Sequence, residues 1–255
     1  MRGMSDLTGR IEYEADGIRM AGFYVKPGAA PDDGARRPGI LVCPPGPGLG
    51  DHTKGVARRL AEAGYPAFAL DYHGGGAIIK EAAEMTARIR GFIENPLSIR
   101  ARAAKALEVL AAQPEVDPAR IAAIGYCFGG TAVLELARSG APLAATVGFH
   151  SGLKTIRPQD AGNIKGKILV CLGADDPLIP PADRAAFEEE MRRGGVDWQM
   201  HLYGGAQHSF TDPGAEERAR LMGLKGLKYD ARADRRSWRS MLDTFGEAGL
   251  GVLQH

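Results

Sequence analysis

Three short stretches of this 255-residue chain carry side chains that together can do nucleophilic chemistry. Cys127 lies in Gly-Tyr-Cys-Phe-Gly-Gly (125–130), Asp176 in Gly-Ala-Asp-Asp-Pro-Leu-Ile-Pro (173–180), and His208 in Tyr-Gly-Gly-Ala-Gln-His-Ser-Phe (203–210). A thiol attacks a carbonyl as its thiolate, so it needs a base that takes its proton and later returns one to the leaving oxygen. The base is most often an imidazole, and a carboxylate holds that imidazole in the useful tautomer. Cysteine, aspartate and histidine supply those roles in that order along the chain. Asp175 adjoins Asp176, and in a tight turn only one of them faces the imidazole. Asp176 is preferred because Pro177 fixes the backbone after it, and Asp175 stays open as the rival.

The surroundings of Cys127 support a nucleophile. Ile121 to Ile124 form a short apolar run of the kind that makes a buried parallel strand. Gly125 opens a tight turn with Cys127 at its apex, and Gly129-Gly130 let a helix pack close behind. That helix is legible in Thr131–Ala137 and stops at Ser139-Gly140. Strand, Gly-x-Cys-x-Gly, helix is a nucleophile elbow with cysteine where serine is usual. The thiol then sits at a helix N-terminus, where free amides and the dipole favour the thiolate. Taken alone, the hexapeptide also fits a glycine-rich turn around an inert buried cysteine. The oxyanion formed on attack needs two donors. One is the amide of Phe128. The other is expected from the loop after Cys43, where Pro44, Pro45 and Pro47 have no N–H and Gly46 does.

The elements that must position these residues alternate in type. Strands are expected at Ile11–Ala15, Met20–Lys26, Gly39–Cys43, Pro66–Leu70, Leu143–Phe149, Lys167–Leu172 and Trp198–Tyr203, besides the elbow strand. Asp16-Gly17 reads as a hairpin turn, Pro27–Pro38 as an exposed loop, and Pro114–Pro118 as the turn into the elbow strand. Helices are expected at Thr53–Ala63, across Ile78–Ala112 with a break at Asn95-Pro96, at Pro181–Arg193 and at Arg232–Phe245. Asp212–Asp230 is expected to be irregular or partly helical. This order implies an α/β fold: a mostly parallel sheet of about eight strands with helices on both faces. We expect one domain over residues 1–255, with its core at about 11–245. In such sheets the chemistry lies beyond the carboxyl ends of the strands. Tyr72, His73, His150, Ser209 and Phe210 follow strand ends and are candidates to contact substrate, and Gly74-Gly75-Gly76 with the helices after it is a candidate mobile rim. His201 is expected to be structural, and Cys43 and Cys171 to be core residues.

Composition narrows the function classes. The formal net charge is +1 with both signs interspersed, which argues against nucleic acid or an anionic membrane as the main partner. Met1–Arg10 has no apolar signal core, and no apolar stretch reaches membrane-spanning length. Three widely spaced cysteines, an odd number, point to free thiols in a reducing cytoplasm. No spacing typical of metal ligands occurs, and neither a metal nor another cofactor is expected.

The motifs at 125–130, 173–180 and 203–210, with Asp-Ala-Arg-Ala-Asp-Arg-Arg-Ser-Trp at 230–238, resemble the dienelactone hydrolase (carboxymethylenebutenolidase) family of α/β-hydrolases. The resemblance runs from about Ile11 to Phe245. It implies an α/β-hydrolase fold, Cys127 as nucleophile, His208 as base, Asp176 as its partner, and an oxyanion hole from the Gly46 and Phe128 amides. It further implies a small-molecule ester or lactone substrate and a thioester acyl-enzyme. Two positions depart from the family's archetype: Pro45 replaces a glutamate that helps to form the thiolate, and Thr211-Asp212 replaces a stretch with a carboxylate-binding arginine. An acid at residue 212 is expected to repel a substrate carboxylate, with Arg88, Arg90 and Arg100 as compensating cations. A non-hydrolytic small-molecule binder or a thiol redox sensor on the same fold is the alternative. The oligomeric state stays open between monomer and homodimer.

Overall fold

The computed structural model describes residues 8–28 and 36–252. Its first two strands, β1 (Thr8–Ala15) and β2 (Ile18–Val25), pair antiparallel across Asp16-Gly17. Both turn residues have positive φ, 54° and 68°, the backbone that matches the twist of a two-residue hairpin. The remaining order is β3 (Arg37–Cys43), α1 (Asp51–Glu62), β4 (Ala67–Ala69), α2 (Ala82–Glu94), α3 (Pro96–Ala111) and β5 (Val116–Tyr126). It continues with α4 (Phe128–Arg138), β6 (Ala145–Phe149), β7 (Lys167–Gly173), α5 (Pro181–Gly194), β8 (Trp198–Tyr203), α6 (Ala215–Met222) and α7 (Ala231–Glu247). The eight strands form one sheet in the order β1-β2-β4-β3-β5-β6-β7-β8. Pairing is antiparallel for β1 with β2 and β2 with β4, and parallel elsewhere.

Alternate side chains of the central strands feed the two faces, as period-two geometry requires. Ile40, Val42, Ala122, Ile124 and Val147 pack with Val56 and Leu60 of α1 and Met241 and Phe245 of α7. Leu41, Phe68, Ile121 and Ala123 pack instead with Ile99, Ala103 and Leu110 of α3 and Ala132, Val133 and Leu136 of α4. A third cluster joins Ile168, Val170 and Leu172 of β7 to Phe187 and Met191 of α5. This is the α/β-hydrolase arrangement.

Two stretches expected as loop or turn differ from expectation. Of the expected loop at Pro27–Pro38, residues 29–35 lie outside the described residues, and Arg37 and Pro38 already belong to β3. They pair with Val116 and Asp117, and the register then jumps so that Gly39 faces Ile121. Pro118, Ala119 and Arg120 form the bulge, so the stretch expected as a turn is largely strand. Residues 1–7, part of the Met1–Arg10 segment expected to hold no signal core, also lie outside the described residues. Among the described residues no helix is long and apolar enough to cross a membrane.

Candidate active site

The sharpest backbone feature is at Cys127, between the end of β5 and the start of α4, where φ is 55° and ψ −121°. A non-glycine residue held there costs on the order of 1–3 kcal/mol, which the surroundings must offset. Cys127 N donates to Phe149 O at 3.0 Å, and Cys127 O accepts from Gly130 N at 3.0 Å. The flanking glycines are steric requirements. A Cβ on Gly125 would lie 2.0 Å from Gly129 O, and one on Gly129 would lie 2.3 Å from Cys43 O and 2.4 Å from Pro44 O. That closeness pulls α4 onto the end of β3 and brings the amide of Phe128 and the loop after Cys43 to the same point.

His208 follows β8 in a loop pinned on both sides: its N donates to Gly226 O at 3.0 Å, and its O accepts from Lys228 N at 2.9 Å. Its Nδ1 is 2.8 Å from Asp176 Oδ2. Asp176, in the turn after β7, is buried, and its Oδ1 accepts from Leu178 N at 2.8 Å. Asp175 is exposed, so of the two acids it is Asp176 that the fold brings against His208. His208 Nε2 is buried, makes no well-formed hydrogen bond within the fold, and faces the Cys127 sulfur closely enough for each group to shift the other. Burial opposes the Cys127 thiolate, yet the charge of the neighbouring His208 and the Gly46 and Phe128 amides bring the net shift downward. Burial likewise opposes the His208 cation, but Cys127 and Asp176 raise it to about 10. Both shifts favour a thiolate–imidazolium pair, and no acid from residue 45 takes part.

Gly46 sits where the proline-rich loop crosses the elbow. A Cβ there would meet Ile89 Cδ1 at 2.8 Å, so α2 can lie directly on the amide. The loop is held from behind. Tyr72 Oη donates to Pro45 O at 2.6 Å, and His73 Nε2 donates to Gly46 O at 2.9 Å. Asp71 in turn accepts from the amides of His73, Gly74 and Gly76.

Above these groups lies a cleft of about 570 Å³. Its walls come from Met85, Ile89 and Ile93 of α2, Leu178 and Ile179 after β7, and Met222, Leu224 and Leu227 in and after α6. Of the five residues predicted to contact substrate, Ser209 lines the cleft. The other four do not. Tyr72 and His73 are buried supports of the Gly46 loop, because their side chains run under the loop rather than over it. His150 is buried, shares a 2.9 Å hydrogen bond with Thr211 Oγ1, and packs edge-on against His208 at 5.1 Å between ring centroids. Burial and the neighbouring imidazoles hold its pKa far below the usual histidine range. Phe210 is part of the core under α7. The expected rim at Gly74–Gly76 is likewise fastened to Asp71 and lines none of the cleft.

The arginines are also redistributed. Arg100 is buried against Glu135 and Asp160, Arg88 pairs with Glu84 on the outer face of α2, and neither they nor Arg90 lines the cleft. Arg218 does, paired to Asp212. Helix α2 is one of the helices expected at the rim, whereas sequence reasoning missed the α6 wall. A signal was present in α2: Met85, Ile89 and Ile93 are four residues apart and form one helical stripe, apart from the buried Phe92. Among the described residues no group of three or more His, Cys, Asp or Glu side chains is arranged to hold a metal.

Residues 21–249 match the family model described as the dienelactone hydrolase family. The chain belongs to the dienelactone hydrolase family. A solved structure described as a dienelactone hydrolase-like promiscuous phosphotriesterase from metagenomic libraries is 44% identical, with a TM-score of 0.86, covering 94% of this chain and 98% of that one. A putative carboxymethylenebutenolidase from Synechocystis is 26% identical over 89% of this chain and 92% of its own length. An α/β-hydrolase from a deep-sea metagenome library, 17% identical, shares the fold with a TM-score of 0.67 over 96% of this chain and 99% of that one. This family member is accordingly an ester or lactone hydrolase by class.

Proposed function

We propose that the chain cleaves ester or lactone bonds through Cys127, His208 and Asp176 and a thioester acyl-enzyme, with residues 1–255 acting as one domain. The observation that carries this reading is the 2.8 Å contact of His208 Nδ1 with Asp176 Oδ2, which leaves Nε2 facing the thiol at the elbow apex. In the first half-reaction the Cys127 sulfur bonds to the substrate carbonyl carbon, and the carbonyl electron pair moves to oxygen. The amides of Gly46 and Phe128 are the donors for that oxyanion. The intermediate collapses, the bond to the alcohol oxygen breaks, and His208 gives that oxygen its proton. In the second half, water gives a proton to His208 and attacks the thioester carbon, and collapse returns the thiolate.

A thiolate leaves more readily than an alkoxide, so breakdown to the thioester favours good leaving groups such as enols and phenols. We infer a small-molecule substrate of that kind, and a cytoplasmic setting on the strength of three free cysteines. Cleavage of phosphate triesters is a second substrate class. It rests on the 44%-identical relative described as a promiscuous phosphotriesterase, and on a largely apolar cleft.

The test is p-nitrophenyl acetate turnover by the wild-type chain and by Cys127→Ala, with intact-mass detection of an acyl adduct. Expected are turnover and an adduct on Cys127 in the first protein and neither in the second. Equal rates in both would remove the covalent mechanism.

A further inference from the structure

Arg218 of α6 is the half-buried cation in the cleft wall, with 22% of its side chain exposed. A guanidinium so placed normally reads a carboxylate or phosphate through its fork of N–H donors. Here it is already engaged, with Nη1 hydrogen-bonded to Asp212 Oδ2. Asp212 has little freedom to release it. Its side chain is 8% exposed, its N donates to Ser209 O at 3.0 Å, and its Oδ1 accepts from Gly214 N at 2.8 Å.

We propose that the Asp212–Arg218 pair makes this cleft selective for uncharged, apolar acyl or aryl groups, with Asp212 setting that selectivity by occupying the cation a substrate carboxylate would otherwise meet. The inference rests on the hydrolase reading of the same cleft. Each charged group deep in the site has its counter-charge: His208 lies between Cys127 and Asp176, and Arg218 lies against Asp212. An entering carboxylate therefore loses water without gaining an unpaired cation, which is unfavourable. Lys225 lines the rim and makes no ion pair among the described residues, but it is exposed, where water and salt screen its charge. Met85, Ile89, Met222, Leu224 and Leu227 give an apolar guest its contact area. Asp212, expected from sequence to repel anions directly, acts instead through the arginine it covers.

The experiment is calorimetric binding of 4-phenylbutanamide and 4-phenylbutanoate, matched in shape and differing in charge, to the full chain. The wild type is expected to bind the amide several-fold tighter. Asp212→Asn keeps an acceptor for Gly214 N and frees Arg218, and it is expected to move the affinity ratio towards the carboxylate by about tenfold. Adding Arg218→Met to that variant is expected to reverse the gain. Wild-type preference for the carboxylate would overturn the proposal, as would an unmoved ratio in a folded Asp212→Asn chain. A ratio shifted equally by Lys225→Met, or failure of both ligands to bind, would also overturn it. If Asp212→Asn does not fold, the wild-type preference and the Lys225→Met chain still decide. Binding is read without turnover, so absent ester cleavage alone would count against the hydrolase reading and leave this one standing.

Discussion

Replacing Asp176 by Asn tests the proposed site at its best-defined contact. The side chain keeps its shape and can still accept from Leu178 N through Oδ1, but it loses the charge 2.8 Å from His208 Nδ1. Two effects follow. The imidazolium loses an attraction that, for charge centres ~4 Å apart at an effective dielectric constant of ~20, is about 4 kcal/mol. The amide can also donate to Nδ1, which puts the ring proton on Nε2, where the ring can no longer accept from Cys127. At ~1.4 kcal/mol per tenfold in rate, the charge effect alone amounts to about a thousandfold in kcat. The assay is steady-state hydrolysis of p-nitrophenyl acetate at neutral pH, with far-UV circular dichroism to confirm that the variant is folded. Asp175→Asn, an exposed neighbour, serves as the control and is expected to match the wild type. A folded Asp176→Asn enzyme within one order of magnitude of the wild type would refute the reasoning. So would a loss confined to Asp175→Asn, which would hand the role to the wrong carboxylate.

Other expectations follow from the same geometry. Iodoacetamide labelling of Cys127 should persist below the midpoint of a free cysteine, ~8.5, because the folded pKa is lowered and the thiolate fraction falls only as pH drops through that lowered value. His208→Gln should move the labelling midpoint upward, since burial would then act with less opposition, and an unmoved midpoint would dissociate the two groups. Gly129→Ala should cost at least about 3 kcal/mol in urea unfolding or prevent folding, because its Cβ would lie 2.3 Å from a backbone oxygen that cannot yield. Glu190→Gln should cost about 3–5 kcal/mol in the same assay, since it strips a paired charge from the fully buried Arg138 guanidinium. Ile89→Trp should depress kcat/KM for bulky aryl esters more than for p-nitrophenyl acetate, because it fills the wall beside Gly46.

Much of the site could be read from the chain because its constraints are local. Glycines at 125 and 129 around Cys127 are demanded by a turn a few residues long, and the proline pattern at 44, 45 and 47 leaves Gly46 as the amide in reach. Asp176 and His208 stand just past strands whose apolar runs are plain, so the carboxyl-end rule brings them towards one edge. Side-chain direction beyond those turns was settled by packing between distant segments. Tyr72 and His73 go beneath the loop they support because β4 is an interior strand between β2 and β3, and Phe210 goes into the core shared with Met241 and Phe245 of α7. The cleft walls likewise depend on where α2 and α6 settle over the sheet edge, which no short window of sequence specifies. The pairing of Arg218 with Asp212, six residues apart across a bend into α6, took the folded backbone to decide. Sequence alone singled out the groups proposed to react, because strained turns and strand ends have short-range signatures. Tertiary structure decided what surrounds them, because burial and charge pairing are sums over neighbours far apart in the chain.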